Sequence, residues 1–513
     1  MLSLAFAPAA LASGSVWERE ASNARAALAR SVKAHYLTPE LQTEYLGVLA
    51  HARAVSRQVP KGRRAVLQQV LAQVASPKSP TGPRALELYT TLAENADYLA
   101  THRLPPDGTD VTGADRAVYR FFTGIGLEFH PLANAAALNK LVATQDSAGA
   151  GALADALAAR AVPTSGGGLV WEYLFSFDDQ RPPWASGMAQ AVLAQAFARA
   201  GRFDLAHKAW QAIPGSLDRT VSAGPWIRLY SKSSSLVLNA QLQSAISLAD
   251  YAGLAHDASA GGYASSLLDA AKAMLSRFDT GHWSRYSLGS DADLHYHDFV
   301  IGLLKTVATR TRDTSWRDAA ERFALYETQP PLLTAPTATR TIYPKPQDGI
   351  RDDLVVRFFL SKPSKVALVV DGKAVDGNRL QGGWNTFDWG ETAALSEGTH
   401  TVRLAAADLN GNAGSADLGS FAVARDRTPP NLSAAKANGR VYWRASDVES
   451  TCCTVRIVLR RNGAAKLLEP SRSRGAAAIP PGYWSVTVTA RDAAGNVASK
   501  PVGLIVGRDE LRG

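Results

Sequence analysis

The hydrophobic period changes once along this chain, and the change divides it into two kinds of structure. As far as Glu327, apolar residues recur at spacings of three and four, which is the pattern of amphipathic helices. Beyond Tyr343 they alternate with polar residues, which is the pattern of half-buried strands. Between the two, Pro330-Pro331 interrupts both patterns. The sequence therefore predicts a multidomain α + β protein, in which an all-α part is followed by an all-β part.

Apolar stripes mark individual helices in the first part. The clearest stripe contains Leu238, Leu242, Ala245 and Ala249, and Gly253 follows it where a C-cap belongs. Short breaks, such as Ala200-Gly201-Arg202 and Ala260-Gly261-Gly262, separate such stripes. Helices of this length joined by short turns predict an α/α toroid-like arrangement of helical hairpins over residues 14–328.

The strand-rich part contains an internal repeat. The pattern A-x-D-x-x-G-N occurs at Ala406–Asn412 and again, 84 positions later, at Ala490–Asn496. A repeated turn of this kind between alternating strands predicts two related Ig-like β-sandwiches in tandem. We place them at residues 338–427 and 428–508.

Composition narrows the class of partner. A chain of 513 residues with 46% apolar residues can bury several cores, and its net charge of +9 favours an anionic partner. The Lys and Arg residues are scattered and form no DNA- or RNA-binding motif. We therefore predict an acidic polysaccharide as partner rather than nucleic acid.

Two short segments bear on the cellular compartment. Residues 1–13 resemble the apolar part of an export signal that ends in the A-x-A site Ala10-Leu11-Ala12, although no basic segment precedes it. We predict an exported protein (extracellular, periplasmic or at the cell surface), with an uncleaved apolar arm as the alternative. Cys452 and Cys453 are adjacent, and we expect two unbridged strand residues on opposite faces.

Four patches in the helical part combine aromatic, charged and small residues. Aromatic faces stack on the C–H groups of sugars, while charged side chains bind hydroxyls and carboxylates, so such mixtures are typical of sugar sites. The patches are Trp171–Gln190, Trp226–Gln241, Phe278–Gly289 and Leu294–Phe299.

In this order, the patches resemble the C-terminal domain of D-glucuronyl C5-epimerases, which act on glycosaminoglycan chains of the heparan or heparosan type. The matching motifs are P-W-x-S-G-M-A-Q (Pro183–Gln190), S-S-L-V-L-N (Ser234–Asn239), F-D-T-G (Phe278–Gly281) and H-Y-H (His295–His297), within a core of residues 171–307. The resemblance implies an isomerase that exchanges the proton at C5 of polymer-linked uronic acids. It also implies that Tyr230, Tyr286 and Tyr296 are the catalytic residues.

We predict that Tyr286 and Tyr296 exchange the proton, while Arg181 and one histidine hold the carboxylate. An ordinary phenol has a pKa of about 10, so a tyrosine base needs a cation beside it. Arg285 would serve Tyr286, and the flanking histidines would serve Tyr296. We predict no cofactor and no metal ligand. The predicted substrate-binding residues are Glu172, Arg181, Trp184, Asn239, Arg285, His295 and His297.

Other functions remain open at this point. A polysaccharide lyase begins with the same proton abstraction, and a non-catalytic glycan-binding or surface-assembly protein would keep only the groove. A glycoside hydrolase would use Glu172 or an aspartate such as Asp178 or Asp179. His295, His297 and Asp298 could bind a metal if their segment were extended.

The first predicted sandwich resembles the Ig-like modules related to the flagellar hook-capping protein, through Gln347–Asp352 and the strand that follows. This resemblance implies a spacer, or an arm that associates with the cell surface, in an exported bacterial protein. We predict no chemistry for either sandwich.

Overall fold

The computed structural model describes residues 10–507, and over this range a mainly helical part precedes a part built of strands, which confirms the predicted α + β class. Residues 1–9, which are most of the predicted export signal, lie outside the described part of the chain. No helix among the described residues combines the length and apolar character needed to cross a membrane. The helices are α1 (Ala10–Lys33), α2 (Pro39–Gln58), α3 (Lys61–Ala75), α4 (Gly82–Thr101), α5 (Pro131–Ala143), α6 (Ser147–Ala158), α7 (Gly187–Arg199), α8 (Phe203–Gln211), α9 (Leu238–Ala255), α10 (Ala258–Met274), α11 (Leu294–Thr311) and α12 (Thr314–Tyr326).

Short strands are inserted among these helices, which the helical periodicity did not predict. They form small antiparallel sheets and hairpins. They are β1 (Asp110–Thr112), β2 (Val118–Phe122), β3 (Gly126–Phe129), β4 (Val162–Pro163), β5 (Leu169–Val170), β6 (Glu172–Tyr173), β7 (Trp184–Ala185), β8 (Asp218–Val221), β9 (Gly224–Ile227), β10 (Arg285–Ser287) and β11 (Ser290–Asp291).

The chain divides into two compact units. The helical unit continues to Ala324 and excludes Gly281–Trp283, which group with the second unit that resumes at Leu325. Within the helical unit, alternate helices form an inner row, in which α5 packs on α7, α7 on α9, and α9 on α11. Helices α7 and α9 are buried on nearly every side, because small and apolar residues surround each helix. This row positions the site described below.

Two predicted breaks were wrong in detail. Gly253 and Gly261-Gly262 lie inside α9 and α10, so they are not caps or turns. Helix α9 ends instead at Ala255, and the left-handed backbone of His256 (φ 54°) caps it. The physical reason is that glycine lowers helix stability only modestly, and packing of the surrounding apolar residues outweighs that cost. The break at Ala200-Gly201-Arg202 is confirmed, since α7 ends at Arg199 and α8 begins at Phe203.

The second unit contains two sandwiches with the same strand connectivity, except that the first has an additional edge strand, β13. The first packs sheet β12-β14-β17 against β13-β19-β18-β15-β16, and the second pairs β20-β21-β24 with β23-β22-β25-β26. Buried residues alternate along the central strands, for example Leu354, Val356 and Phe358. The strands are β12 (Leu333–Ala338), β13 (Thr341–Ile342), β14 (Leu354–Leu360), β15 (Ser364–Val370), β16 (Lys373–Leu380), β17 (Gly383–Trp389), β18 (Gly398–Asp408), β19 (Ala413–Val423), β20 (Asn431–Ala437), β21 (Arg440–Ser446), β22 (Thr454–Arg461), β23 (Ala464–Leu468), β24 (Arg474–Ala478), β25 (Gly482–Arg491) and β26 (Val497–Gly507).

The expectation for the two cysteines was wrong. Cys452 and Cys453 form a disulfide with each other. They lie in the connection before β22 rather than inside a strand. The alternation of strand side chains, on which the expectation depended, therefore does not apply to them.

Candidate active site

One cavity of the helical unit collects residues from the predicted patches. Its volume is about 170 Å³, which is below the roughly 300 Å³ at which typical ligand pockets begin. A pocket of this size suits a single residue of a larger substrate. Its lining comprises Arg120, Phe122, His130, Leu132, Tyr173, Phe175, Phe177, Trp184, Ser186, Met188, Leu229, Tyr230, Asn239, Tyr286 and Tyr296.

Four helices of the inner row begin at this cavity. Leu132, Met188, Asn239 and Tyr296 belong to the first turns of α5, α7, α9 and α11, respectively, and all of them line it. Ser186 caps α7, because its side chain accepts a hydrogen bond from the backbone amide of Ala189. Helix N-termini carry partial positive charge, so their convergence favours an anionic ligand.

An aromatic wall forms one side of the cavity. The rings of Tyr173 and Trp184 stack in parallel, with centroids 4.0 Å apart. Trp184 donates a hydrogen bond from Nε1 to the carbonyl of Phe175 at 2.7 Å, which fixes its ring. The ring of Tyr230 meets Trp184 edge-on, with centroids 5.1 Å apart. Such a wall can stack on the apolar face of a sugar ring.

The three predicted tyrosines, Tyr230, Tyr286 and Tyr296, all line this cavity. The rings of Tyr286 and Tyr296 lie closest, with centroids 4.7 Å apart. Tyr230 comes from the segment after β9, Tyr286 from β10, and Tyr296 from the start of α11. Three phenols from separate patches of sequence therefore face the same space.

Their surroundings keep these phenols protonated at neutral pH. Burial, together with the neighbouring Tyr296 and the exposed carboxylate of Asp178, raises the pKa of Tyr230 to about 12. Burial and the other two phenols also raise the pKa of Tyr286. Burial and the nearby Asp293 raise the pKa of Tyr296, whereas the positive charge of Arg120 lowers it. Tyr296 is thus the phenol of the three whose anion Arg120 favours.

Arg120, on β2, is a cavity residue that the sequence patterns missed. Its Nε and Nη2 donate to the two carboxylate oxygens of Asp110 at 2.7 and 2.8 Å. This two-pronged contact raises the pKa of the guanidinium and fixes its plane. Among the described residues no acceptor is bonded to Nη1, so that nitrogen keeps its capacity to donate to an anion.

His130 provides a neutral imidazole on the same lining. Its Nδ1 accepts a hydrogen bond from the backbone amide of Ala133 at 3.1 Å, so the neutral ring carries its proton on Nε2. Burial, with the positive charge of Arg120 beside it, lowers the pKa of His130 to about 3. The ring is therefore a hydrogen-bond donor at neutral pH, and not a cation.

Two predicted substrate-binding residues lie outside the cavity. Glu172 is engaged elsewhere, because its carboxylate accepts two hydrogen bonds from Arg84, at 2.6 and 2.9 Å. Arg181 is exposed, and the structure does not place it on the cavity lining. In the tight turn before Arg181, the backbone N–H of Gln180 donates a hydrogen bond to the carbonyl of Phe177 at 2.8 Å. This turn leaves Arg181 at the surface.

The cations predicted beside the tyrosines are also placed elsewhere. Arg285 donates to the carbonyl of Leu288 at 3.2 Å, beside its own hairpin turn. His297 is fully buried and lies between the hydroxyl of Ser284 and the carbonyl of Phe323, while His295 is exposed. Successive residues on a helix point about 100° apart, so the neighbours of Tyr296 on α11 cannot share its direction. The same geometry separates His295 from His297 and argues against the metal pair.

Trp184 and Asn239 do line the cavity. Trp184 belongs to the aromatic wall, and Asn239 is buried in the first turn of α9. Of the predicted substrate-binding residues, the structure brings these two together with the three tyrosines. It does not do so for the other five, which are Glu172, Arg181, Arg285, His295 and His297.

No curated protein matches the chain significantly. A cellobiose 2-epimerase from Bacillus thermoamylovorans is similar in structure, with 12% identity over 52% of this chain and 75% of that chain, and a TM-score of 0.33. Fibronectin(III)-like modules of CbhA from Clostridium thermocellum show 13% identity over 36% of this chain and 97% of that chain, with a TM-score of 0.18. These scores are too low to carry an argument about function. Over residues 166–324, which are less than half of the chain, the sequence matches the family described as the D-glucuronyl C5-epimerase C-terminus, and this match supports a carbohydrate epimerase-like role.

Proposed function

We propose that the helical unit inverts C5 of uronic acid residues in an acidic polysaccharide, and heparosan-type chains are the first substrates to test. The observation that supports this most is the pair Tyr286 and Tyr296, whose ring centroids lie 4.7 Å apart on a cavity that Arg120 also lines. C5-epimerisation needs a proton acceptor, a proton donor and a cation near one sugar ring. These three side chains can supply them.

The cation is needed because of the intermediate. The C5 hydrogen lies next to a carboxylate, so its removal builds an enediolate with two negative charges. In our proposal, Nη1 of Arg120 binds the substrate carboxylate, and the helix N-termini around the cavity add partial positive charge. His130 can donate a hydrogen bond from Nε2 to the same oxygens. Arg120 thereby takes the role that the sequence assigned to Arg181.

Two phenols are enough for the proton transfers, since one accepts the C5 proton and the other donates a proton to C5. The phenolate of Tyr296 takes the C5 proton, and the C–H electron pair moves into the enediolate. Tyr286 then gives its proton to the opposite face of C5, which leaves a Tyr286 phenolate and an inverted centre. Exchange of protons with water restores both residues. The pKa of both phenols is raised by burial, but Arg120 opposes the rise at Tyr296, whereas neighbouring phenols add to it at Tyr286, so Tyr296 is the better base.

The surface around the cavity and the two β-sandwiches would help to bind the polymer and to position the enzyme. The cavity holds about one sugar, so the polymer would continue beyond it in both directions. We propose that the β-sandwiches are spacers or anchoring arms of an exported protein. The net charge of +9 favours binding to an acidic chain.

Isotope exchange tests the function directly. The full chain is incubated in D₂O with heparosan and with other uronate polymers, and the products are analysed by NMR. Deuterium at C5 without chain cleavage is the expected result. A new absorbing double bond with cleavage would instead identify the lyase, in which the C4 oxygen leaves after the same first step. Binding without either product on every polymer would leave a glycan-binding protein and overturn the enzymatic proposal.

Replacing Arg120 tests the carboxylate contact. In Arg120→Met we expect KM for the uronate polymer to rise by about 10- to 100-fold, because one charged hydrogen bond contributes about 1.5–3 kcal/mol. We expect kcat to fall as well, because the enediolate loses its cation. Arg120 and Asp110 are both partly exposed, so the fold should survive the loss of their pair. Steady-state kinetics on the polymer measures the effect.

Arg181→Met is the matched control, since Arg181 is exposed and lies outside the cavity lining. We expect it to change KM less than twofold. The reverse ranking, with Arg181→Met impaired and Arg120→Met unaffected, would return the carboxylate contact to the residue that the sequence patterns favoured.

A further inference from the structure

Each of the two sandwiches in the second unit contains a buried polar junction. The two junctions are built alike, but the charged side chains that meet in them differ. In each sandwich three segments meet there. The incoming segment precedes the first strand, the connecting segment joins the second long strand to the third, and the A-x-D-x-x-G-N turn joins the last two strands. The segments are defined by their residues in the following paragraphs.

In the first sandwich an ammonium group occupies the junction. Lys362, in the connecting segment between β14 and β15, pairs with Asp408 of the turn at 2.6 Å, and both side chains are 1% exposed. Its Nζ also donates to the incoming carbonyls of Tyr326, at 2.6 Å, and of Gln329. Three oxygens from the incoming segment and the turn thus surround one positive charge.

The second sandwich repeats the turn and its attachment. Asp492 accepts a hydrogen bond from the amide of Asn496 at 2.8 Å, just as Asp408 accepts one from Asn412. The side chain of Asn496 donates to the incoming carbonyl of Asp426 at 3.2 Å, as the side chain of Asn412 donates to Glu327. The two junctions are therefore equivalent, segment by segment.

The connecting segment, however, carries the opposite charge. Asp447 follows β21 directly, in the connection that corresponds to the one containing Lys362. One carboxylate oxygen each of Asp426, Asp447 and Asp492 lies within 4.8 Å of the other two. Among the described residues, no Lys, Arg or His forms an ion pair with any of the three. A carboxylate thus replaces the ammonium group without another side chain to balance it.

The free oxygens point to a ligand. Asp426 and Asp492 are each 5% exposed. In each of them Oδ1 accepts a backbone amide, from Thr428 and Asn496 respectively, whereas the buried Oδ2 accepts no hydrogen bond. Asp447 likewise uses Oδ1 to accept the amides of Glu449 and Ser450. Buried charges of one sign are costly unless they are paired or coordinate a metal.

We infer that Asp426, Asp447 and Asp492 form a Ca²⁺ site at the junction of the second sandwich, where the cation takes the place that the ammonium group of Lys362 holds in the first. The donors are all oxygens, which hard cations prefer. Oxygens on opposite sides of Ca²⁺ are about 4.8 Å apart, so three within that distance can share one ion. Because they come from three separate segments, the irregular geometry of Ca²⁺ suits them better than the strict octahedron of Mg²⁺.

Binding of Ca²⁺ to the chelator-stripped full chain tests the site. Titration calorimetry should show a Ca²⁺ site that Mg²⁺ fills more weakly, and thermal unfolding should show one transition that rises by about 5 °C or more at a tenfold excess over Kd. Asp492→Asn should weaken binding at least tenfold. Asp388→Asn, which removes an exposed carboxylate from the same unit, should bind Ca²⁺ as the wild type does.

A charge swap separates metal binding from folding. In Asp447→Lys, the connecting segment acquires the ammonium group of the first sandwich, so we expect a folded chain whose unfolding temperature no longer responds to Ca²⁺. If this variant does not fold, Asp492→Asn decides the question through binding alone. No binding at millimolar Ca²⁺ in the wild type, tighter binding of Mg²⁺, or undiminished binding in Asp492→Asn would overturn the inference.

Discussion

Tyr296→Phe and Tyr286→Phe should each lower kcat for C5 epimerisation by about 10²- to 10⁴-fold, while KM changes little. The loss follows because each variant keeps the ring and its packing but removes the hydroxyl that moves a proton. The two variants should differ in isotope exchange. Without the base Tyr296, deuterium no longer enters C5, whereas without the acid Tyr286, exchange on the face of Tyr296 continues and inversion stops. NMR of polymer incubated in D₂O measures both.

The pH profile of the wild type provides a second readout of the same roles. Since the pKa of Tyr296 is raised, its reactive phenolate is scarce at neutral pH. The rate should therefore rise about tenfold for each pH unit until the phenol is deprotonated. Tyr98→Phe is the control, because Tyr98 stacks on His102 away from the cavity and should keep its activity. Full activity in Tyr286→Phe or Tyr296→Phe would remove these catalytic roles.

The convergence of Tyr230, Tyr286 and Tyr296 could be predicted from the sequence only through ordered motifs. Each of these tyrosines, taken alone, has the character of a packed aromatic residue. They meet because Tyr296 lies in the first turn of an inner helix, and Tyr230 and Tyr286 lie in segments that connect helices of the unit. The motif resemblance carried that long-range information, which period and composition do not contain.

The cation beside the tyrosines was predicted wrongly because the prediction used residues adjacent in sequence. The sequence predicts Arg285 and His297 as partners of the adjacent tyrosines, but adjacent residues point in different directions on strands and helices. The cation that lines the cavity, Arg120, lies far away in sequence, on β2. One signal was available: Arg120 interrupts the apolar run Val118-Tyr119-Arg120-Phe121-Phe122, where an isolated charge needs an explanation.

The fold class was predictable because period is a property of the sequence itself. The change of period near Pro330-Pro331 separates the helical from the strand-rich part, and the two sandwiches were predicted from the repeated A-x-D-x-x-G-N motif. What could not be predicted was which charge each sandwich places beside the aspartate of that turn. Asp408 and Asp492 occupy the same position of the motif, and the side chain beside each comes from a segment about 45 residues earlier, Lys362 in one case and Asp447 in the other.

Removing the ammonium group of the first sandwich should be strongly destabilising. Lys362→Met leaves the carboxylate of Asp408 buried and without its cation, and breaking such a pair costs about 3–5 kcal/mol in the free energy of unfolding. Lys362 also contacts the ring of Trp283 from 5.5 Å, which methionine can partly replace. Denaturation of the full chain by urea, followed by circular dichroism of the strands, measures the loss. Lys365→Met, an exposed change three residues away on β15, should stay within about 0.5 kcal/mol of the wild type.

The dependence of this loss on pH identifies its cause. Burial by itself would raise the pKa of Asp408, but hydrogen bonds from Asn412 and Lys362 outweigh it and hold the pKa below its ordinary value. In the wild type this carboxylate therefore stabilises the fold above the pKa of the unfolded chain, and the contribution disappears as pH falls through the lower, folded pKa. In Lys362→Met the pKa should rise instead, so protonation relieves the buried charge and the difference between variant and wild type shrinks towards acid pH. Lys362→Met combined with Asp408→Asn should recover part of the stability at neutral pH, since no charge is then buried. If Lys362→Met costs the same at every pH, lost packing rather than the unpaired carboxylate accounts for it.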